Sequence, residues 1–144
     1  MPFYFLRHEQ RNEYDILFRS NLNADGRHMS ETMFKGYLSL ISFDAVYSSP
    51  FIRTLQTIHP MMKEHPQQKI RTDYAIAEYI NSMRFATTQA RQFILSQEDK
   101  TYFNIDKEYV SQISYNVLEY RETPEKLDER TKRFAEYLLT TYDK

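Results

Sequence analysis

The sequence predicts an α/β fold with a mainly parallel sheet, and three observations carry that prediction. Short apolar runs at residues 3–6 and 43–47 read as strands, with a weaker one at 69–72. Helix-like segments lie between and after them, so strand and helix alternate along the chain. The first run, Phe3-Tyr4-Phe5-Leu6, is apolar without alternation, the pattern of a strand buried on both faces. The 144 residues contain no repeat, low-complexity tract or Gly/Ser/Pro-rich linker, so a single domain over residues 1–144 is expected.

In chain order, the polar stretch from Glu9 to Asn23 reads as a loop with some helix, and Asp25-Gly26 as turn chemistry. Met29, Met33, Tyr37 and Leu40 recur at helical spacing and predict a helix over 27–40 with these four as its apolar stripe. Phe43 to Tyr47 is the second strand. Ser49 then reads as an N-cap and Pro50 as the first residue of a helix. Phe51, Leu55, Ile58 and Met62 give that helix one apolar face, and Pro60 is expected to kink it or end its regular part. Lys69 to Thr72 is the third strand, Thr87 to Gln97 a helix, and Lys100 to Glu119 a tyrosine-rich irregular stretch. The last helix has Thr123 as cap, Pro124 as its opening residue and Glu125 favouring the dipole. Its expected face is Leu127, Thr131, Phe134, Leu138 and Tyr142.

Composition removes several function classes. Nineteen basic and 20 acidic side chains leave a net charge of -1, and no Lys/Arg-rich block stands out, which argues against a nucleic-acid partner. Without cysteine there is no disulfide scaffold, zinc finger or thiol nucleophile. The N-terminal apolar run meets Arg7 too soon for a membrane span or a leader peptide, so the expectation is a cytoplasmic protein with no membrane partner. Apolar residues and glycine together make up only about a third of the chain, against the roughly 45–50% usual in globular domains. A thin core padded by tyrosine is expected, as in a chain that draws part of its core from elsewhere.

Two local patterns carry chemistry. Leu6-Arg7-His8 directly follows a strand, and the functional crevice of an open α/β sheet lies at the carboxyl ends of its strands. The pair Arg7 and His8 either meets an anion there or merely ends the strand at the surface. Ser48-Ser49-Pro50-Phe51-Ile52-Arg53 places a second guanidinium one turn into a helix, two positions from Phe51 and therefore off the apolar stripe. A helix N-terminus favours phosphate, so Arg53 is either an anion ligand or an ordinary solvated arginine. His28, His59 and His65 sit in helical contexts that suggest ordinary surface or half-buried roles, and no metal-ligand pattern surrounds them.

Together these residues resemble the histidine phosphatase superfamily, the group with phosphoglycerate mutase-like folds. The resemblance runs over residues 3–79. It comprises Arg7-His8-Glu9-Gln10-Arg11 after the first strand, then Leu22-Asn23-Ala24-Asp25-Gly26. Next come Ser48-Ser49-Pro50-Phe51-Ile52-Arg53 with Gln56-Thr57, and finally Ala75-Ile76-Ala77-Glu78. It implies a three-layer α/β/α architecture and metal-free, cofactor-free phosphoryl transfer through a phosphohistidine. His8 would be the nucleophile, and Arg7 and Arg53 would clamp the equatorial oxygens. Glu78 would be the proton donor to the leaving alcohol, which requires that it hold a proton at working pH. Arg11 and Ser49 are expected to touch substrate. The implied substrate is a phosphorylated small molecule or phosphoprotein, and a phosphatase fits better than a mutase.

Two departures from the family pattern qualify this. Glu9 stands where the family has Gly. A carboxylate there would repel a dianion unless it points away or pairs with Arg11 or another cation, and it could instead stabilise a cationic imidazole. The family also carries a second His on a strand after the last long helix, whereas His65 is the last histidine here. The fold is therefore expected to be incomplete at its C-terminus, by truncation or rearrangement, or to be completed by a partner or second copy in a homo-oligomer. The alternative to a hydrolase is a catalytically inactive phosphate-binding or protein-interaction domain on the same fold.

Overall fold

The computed structural model describes residues 2–12, 18–80, 94–118 and 122–142. It is a mixed α/β structure in which a small parallel sheet is flanked by helices. Its centre is a βαβ unit: strand β1 (Val46–Ser48), helix α3 (Ile52–Glu64) and strand β2 (Ile70–Thr72). The strands pair in parallel, Val46 opposite Ile70, Tyr47 opposite Arg71 and Ser48 opposite Thr72. Ahead of this unit, α1 (Ala24–Met29), a π-helical stretch (Ser30–Phe34) and α2 (Lys35–Leu38) run consecutively and pack on α3. After it come a 3-10 turn (Tyr74–Ile76), α4 (Gln97–Tyr102), a second 3-10 turn (Tyr115–Val117) and α5 (Pro124–Tyr142). Among the described residues no helix is long and apolar enough to cross a membrane.

The stripe expected of α3 is its core face: Phe51, Leu55, Ile58 and Met62 are all buried. Pro60 does not end the helix, which continues to Glu64. Its N-terminus differs from expectation. Phe51, extended at φ -66° and ψ 136°, is the capping residue, and the helix opens at Ile52. Ser49 does not cap it; the carbonyls of Ser49 and Phe51 both accept from the Thr54 hydroxyl, at 2.7 and 2.6 Å. A cap accepts from the second or third amide of its helix, and with Phe51 still extended those amides lie too far along the chain for Ser49.

Three further expectations are corrected. Asp25-Gly26 is not a turn but the first turn of α1, whose amide at Gly26 is capped by the Asn23 side chain at 2.8 Å. The stripe Met33, Tyr37 and Leu40 is exposed; the buried residues of this helical run are Gly26 and Ser30, with Leu38 packed against the core. The π turn shifts the phase of the helix by a residue, so a stripe counted at α-helical spacing leaves the core side. Phe3 to Leu6 is not a buried strand: it is irregular, and Phe5 is 89% exposed. A strand needs a hydrogen-bonded neighbour, and among the described residues neither β1 nor β2 pairs with this segment.

The remaining elements follow their sequences more closely. Thr123 caps α5, accepting from the Lys126 amide at 3.3 Å. Of the face expected for α5, Phe134 is buried and Leu138 packs against the core, but Thr131 is exposed and Arg130 takes the buried place. The expected helix over 87–97 falls mostly outside the described residues; α4 begins at Gln97 with a Ser96–Asp99 capping box. The irregular stretch after it is organised by buried Asp73. That carboxylate accepts from the Tyr109 hydroxyl at 2.5 Å, the Ser111 hydroxyl at 2.9 Å and the Gln112 amide at 2.9 Å.

Candidate active site

The site is built around the carboxyl end of β1. The chain leaves Ser48, turns through Ser49 and Pro50, and enters α3 so that Arg53 sits in its first turn. Arg53 is 1% exposed, the largest fully buried side chain among the described residues. The expected direction, off the Phe51–Leu55 stripe, proves compatible with burial because most of the first two turns of α3 is covered. Its guanidinium carbon lies 4.5 Å from the centre of the Phe51 ring, and Nη2 donates to Glu78 Oε2 at 3.1 Å. An arginine this deep keeps its charge, so the carboxylate and the ring face are its compensation.

His8 is half-buried, and its Nδ1 lies 2.7 Å from the Glu9 carbonyl oxygen. A carbonyl only accepts, so Nδ1 carries the hydrogen and Nε2 keeps its lone pair. Burial lowers the His8 pKa below its ordinary value of 6.5. The Glu9 carbonyl bond opposes that shift, the nearby charges of Arg53 and Arg7 add to it, and Glu78 opposes it again. Arg7, Arg53 and Glu78 thus all lie within electrostatic reach of one imidazole, which is neutral at pH 7.

A contact that sequence reasoning missed fixes the two halves together. The Glu9 amide donates to the Thr57 hydroxyl at 3.0 Å, and that hydroxyl donates to the Arg53 carbonyl at 2.8 Å. Thr57 therefore joins the backbone beside His8 to the backbone of Arg53. The available signal was its place four residues after Arg53, one turn up the same helix face. Glu9 meets the imidazole through its carbonyl oxygen. The loop after His8 rests on Gly26, where a Cβ would come 2.2 Å from the Gln10 carbonyl oxygen.

The other expected residues are placed as follows. Arg7 is exposed. Arg11 is half-buried, bridges antiparallel to Leu22 and donates to the Asn12 carbonyl at 3.2 Å. Ser49 is half-buried, and its Oγ lacks a hydrogen-bond partner among the described residues. His59 stacks on Tyr102 with ring centres 4.6 Å apart, and the His65 ring lies 3.1 Å from the Ser39 carbonyl oxygen, both away from this cluster.

Residues 4–144 match the family model of the histidine phosphatase superfamily, branch 1. The chain belongs to this superfamily. No curated protein sequence matches it. Among solved structures it is similar to the ecdysone phosphate phosphatase EPPase from Bombix mori, crystallised in complex with tungstate. The TM-score is 0.65 at 16% sequence identity, over 87% of this chain and 48% of that one. At that identity the likeness shows the fold, phosphoglycerate mutase-like, and this histidine phosphatase-superfamily chain spans about half the length of the EPPase chain.

Proposed function

We propose that this chain is a phosphomonoester hydrolase that works through a phosphohistidine at His8. The observation that supports it most is the geometry around that imidazole: its Nδ1 lies 2.7 Å from the Glu9 carbonyl oxygen, which leaves Nε2 to react, and two arginines and a carboxylate lie within electrostatic reach. In the first step Nε2 attacks phosphorus in line with the ester oxygen. The P–O bond to the alcohol breaks as the N–P bond forms, and Glu78 delivers its proton to the departing oxygen. In the second step water attacks the phosphorus, Glu78 takes the water proton, and orthophosphate leaves neutral His8 behind. Arg7 and Arg53 neutralise the equatorial oxygens in both transition states, so the charge that develops meets donors already in place.

The Arg53–Glu78 contact gives the cycle its resting state. A dianion entering the site competes for Arg53 and displaces the Glu78 carboxyl from it, beside the ester oxygen. Arg11 and Ser49, on the flanking loops, are proposed to contact the part of the substrate beyond phosphorus. The substrate is a phosphorylated small molecule or phosphoprotein.

The test uses a tetrahedral oxyanion and an aryl phosphate. EPPase was crystallised with tungstate, which makes vanadate or tungstate a suitable probe of this fold. Saturable oxyanion binding together with turnover of 4-nitrophenyl phosphate that His8→Ala abolishes is the expected result. Oxyanion binding without turnover would support the phosphate-binding domain instead, a reading favoured by Glu9 beside the nucleophile. Absence of both overturns the proposal.

A further inference from the structure

Glu78 sits on backbone without regular structure: the 3-10 turn ends at Ile76, and residues 78–80 belong to no helix or strand. Such a segment has no ladder to fix its carbonyls and amides, so something else must hold them. Arg130 of α5 does. Its Nη1 donates to the carbonyls of Ala75 at 2.7 Å and Ala77 at 2.9 Å, and its Nη2 to the carbonyl of Glu78 itself at 3.0 Å. The remaining donors go to Glu122, from Nε to Oε1 at 2.5 Å and from Nη2 to Oε2 at 3.0 Å. All five N–H groups of the guanidinium are thereby used. Glu122 completes the frame: its Oε2 accepts from the Ile80 amide at 3.0 Å, and its own amide donates to the Ile80 carbonyl at 2.8 Å. Arg130 and Glu122 are 5% and 6% exposed.

We propose that Arg130 and Glu122 are a positioning pair for the reaction, which set where the Glu78 carboxyl stands relative to the ester oxygen. The planar fork of Arg130, which a lysine cannot reproduce, pins the segment up to Glu78, and Glu122 pins Ile80 beyond it. Three of the five contacts go to the backbone of a single short segment, and the other two to the carboxylate that holds its far end. The proposal rests on Glu78 acting as proton donor in the hydrolase reading.

Proton donation matters most when the leaving group is poor, so the test compares 4-nitrophenyl phosphate with a simple alkyl phosphate. Glu78→Gln establishes the signature of a lost acid: a fall in kcat/KM, which reports the steps up to phosphoryl transfer, at least about tenfold larger for the alkyl ester. Arg130→Lys is expected to show the same signature. Glu122→Gln keeps an acceptor for the Ile80 amide and nearly the same volume, and it carries the test if Arg130→Lys does not fold; it is expected to show the same signature in weaker form. A merely structural pair predicts a lowered melting temperature with an unchanged ratio of the two rates; that result in Arg130→Lys, or in Glu122→Gln where Arg130→Lys does not fold, overturns the positioning role while leaving the hydrolase reading intact. A Glu78→Gln enzyme without leaving-group dependence, or a wild type without turnover, overturns the hydrolase reading and this role with it.

Discussion

The two sides of the site are held very differently. On one side, Arg53 and Glu78 sit on a buried helix start and on a segment pinned by Arg130, Glu122 and Asp73. On the other, Arg7 and His8 end an exposed apolar run, tied to the rest through the Glu9 amide on Thr57 and the Gln10 carbonyl, which accepts from Asn23 at 3.0 Å. The clamp is preorganised by the core, whereas the nucleophile depends on a few hydrogen bonds at one point of its loop. Local stability follows buried apolar contact, so perturbations of the two sides are expected to have unlike consequences.

The largest expected effect is chemical. His8→Ala removes the only nucleophile in the proposal and should lower kcat for an aryl phosphate by about 1,000-fold or more, with a smaller effect on the melting temperature because the ring is only half-buried. Arg53→Lys comes next. Loss of the planar fork should cost about 100-fold in kcat/KM and, unlike the His8 change, should also lower thermal stability, since the 3.1 Å contact to Glu78 and the ring contact to Phe51 go with it.

Stability measurements sharpen the contrast. Leu55→Ala, in the core beneath the clamp, is expected to cost about 2–5 kcal/mol in denaturant unfolding. Phe5→Ser, on the exposed run, should stay within about 0.5 kcal/mol of wild type. Equal costs would mean that the N-terminal segment is packed in solution. Gly26→Ala tests the loop alone: the new methyl must push Gln10 aside, so activity should fall more than stability.

The pH dependence is smaller and has a definite sign. Burial and two arginines lower the His8 pKa, so the acid limb of kcat/KM should lie below pH 6.5 rather than at it. The same shift favours folding above pH 6.5, where the unfolded imidazole is also neutral. That contribution is lost as pH falls through the depressed folded value, because the unfolded chain takes up the proton first. His59, lowered by burial and by Lys63, acts in the same direction.

What the sequence showed and what it hid follow one physical distinction. The α3 stripe, β2 and the Thr123-Pro124 start of α5 are local patterns, and the structure contains them. Arg7-His8 and Ser48 to Arg53 suggested an anion site from their places after strands, whereas Glu78 entered only through the family resemblance, since a carboxylate after a weak strand says nothing by itself. Phe3 to Leu6 misled because an apolar run states only that burial is favourable, while a strand also needs a neighbour that no local pattern reveals. The Arg130 frame was missed because the backbone it holds is more than fifty residues away in sequence. A signal was present: Arg130 lies three residues after Leu127 and four before Phe134, on the apolar stripe, where an arginine must have buried acceptors. The Asp73 hub gave no such sign, since an aspartate after a strand usually starts a turn.

The central claim is that His8 carries the phosphoryl group. It is tested most directly by rapid quenching in alkali during turnover of an aryl phosphate, followed by peptide mapping by mass spectrometry. The account predicts one acid-labile phosphoryl group, on His8 Nε2, that accumulates when Glu78→Gln slows its hydrolysis. A turnover-competent protein with no phosphoryl group on His8, or with one on another residue, would contradict it.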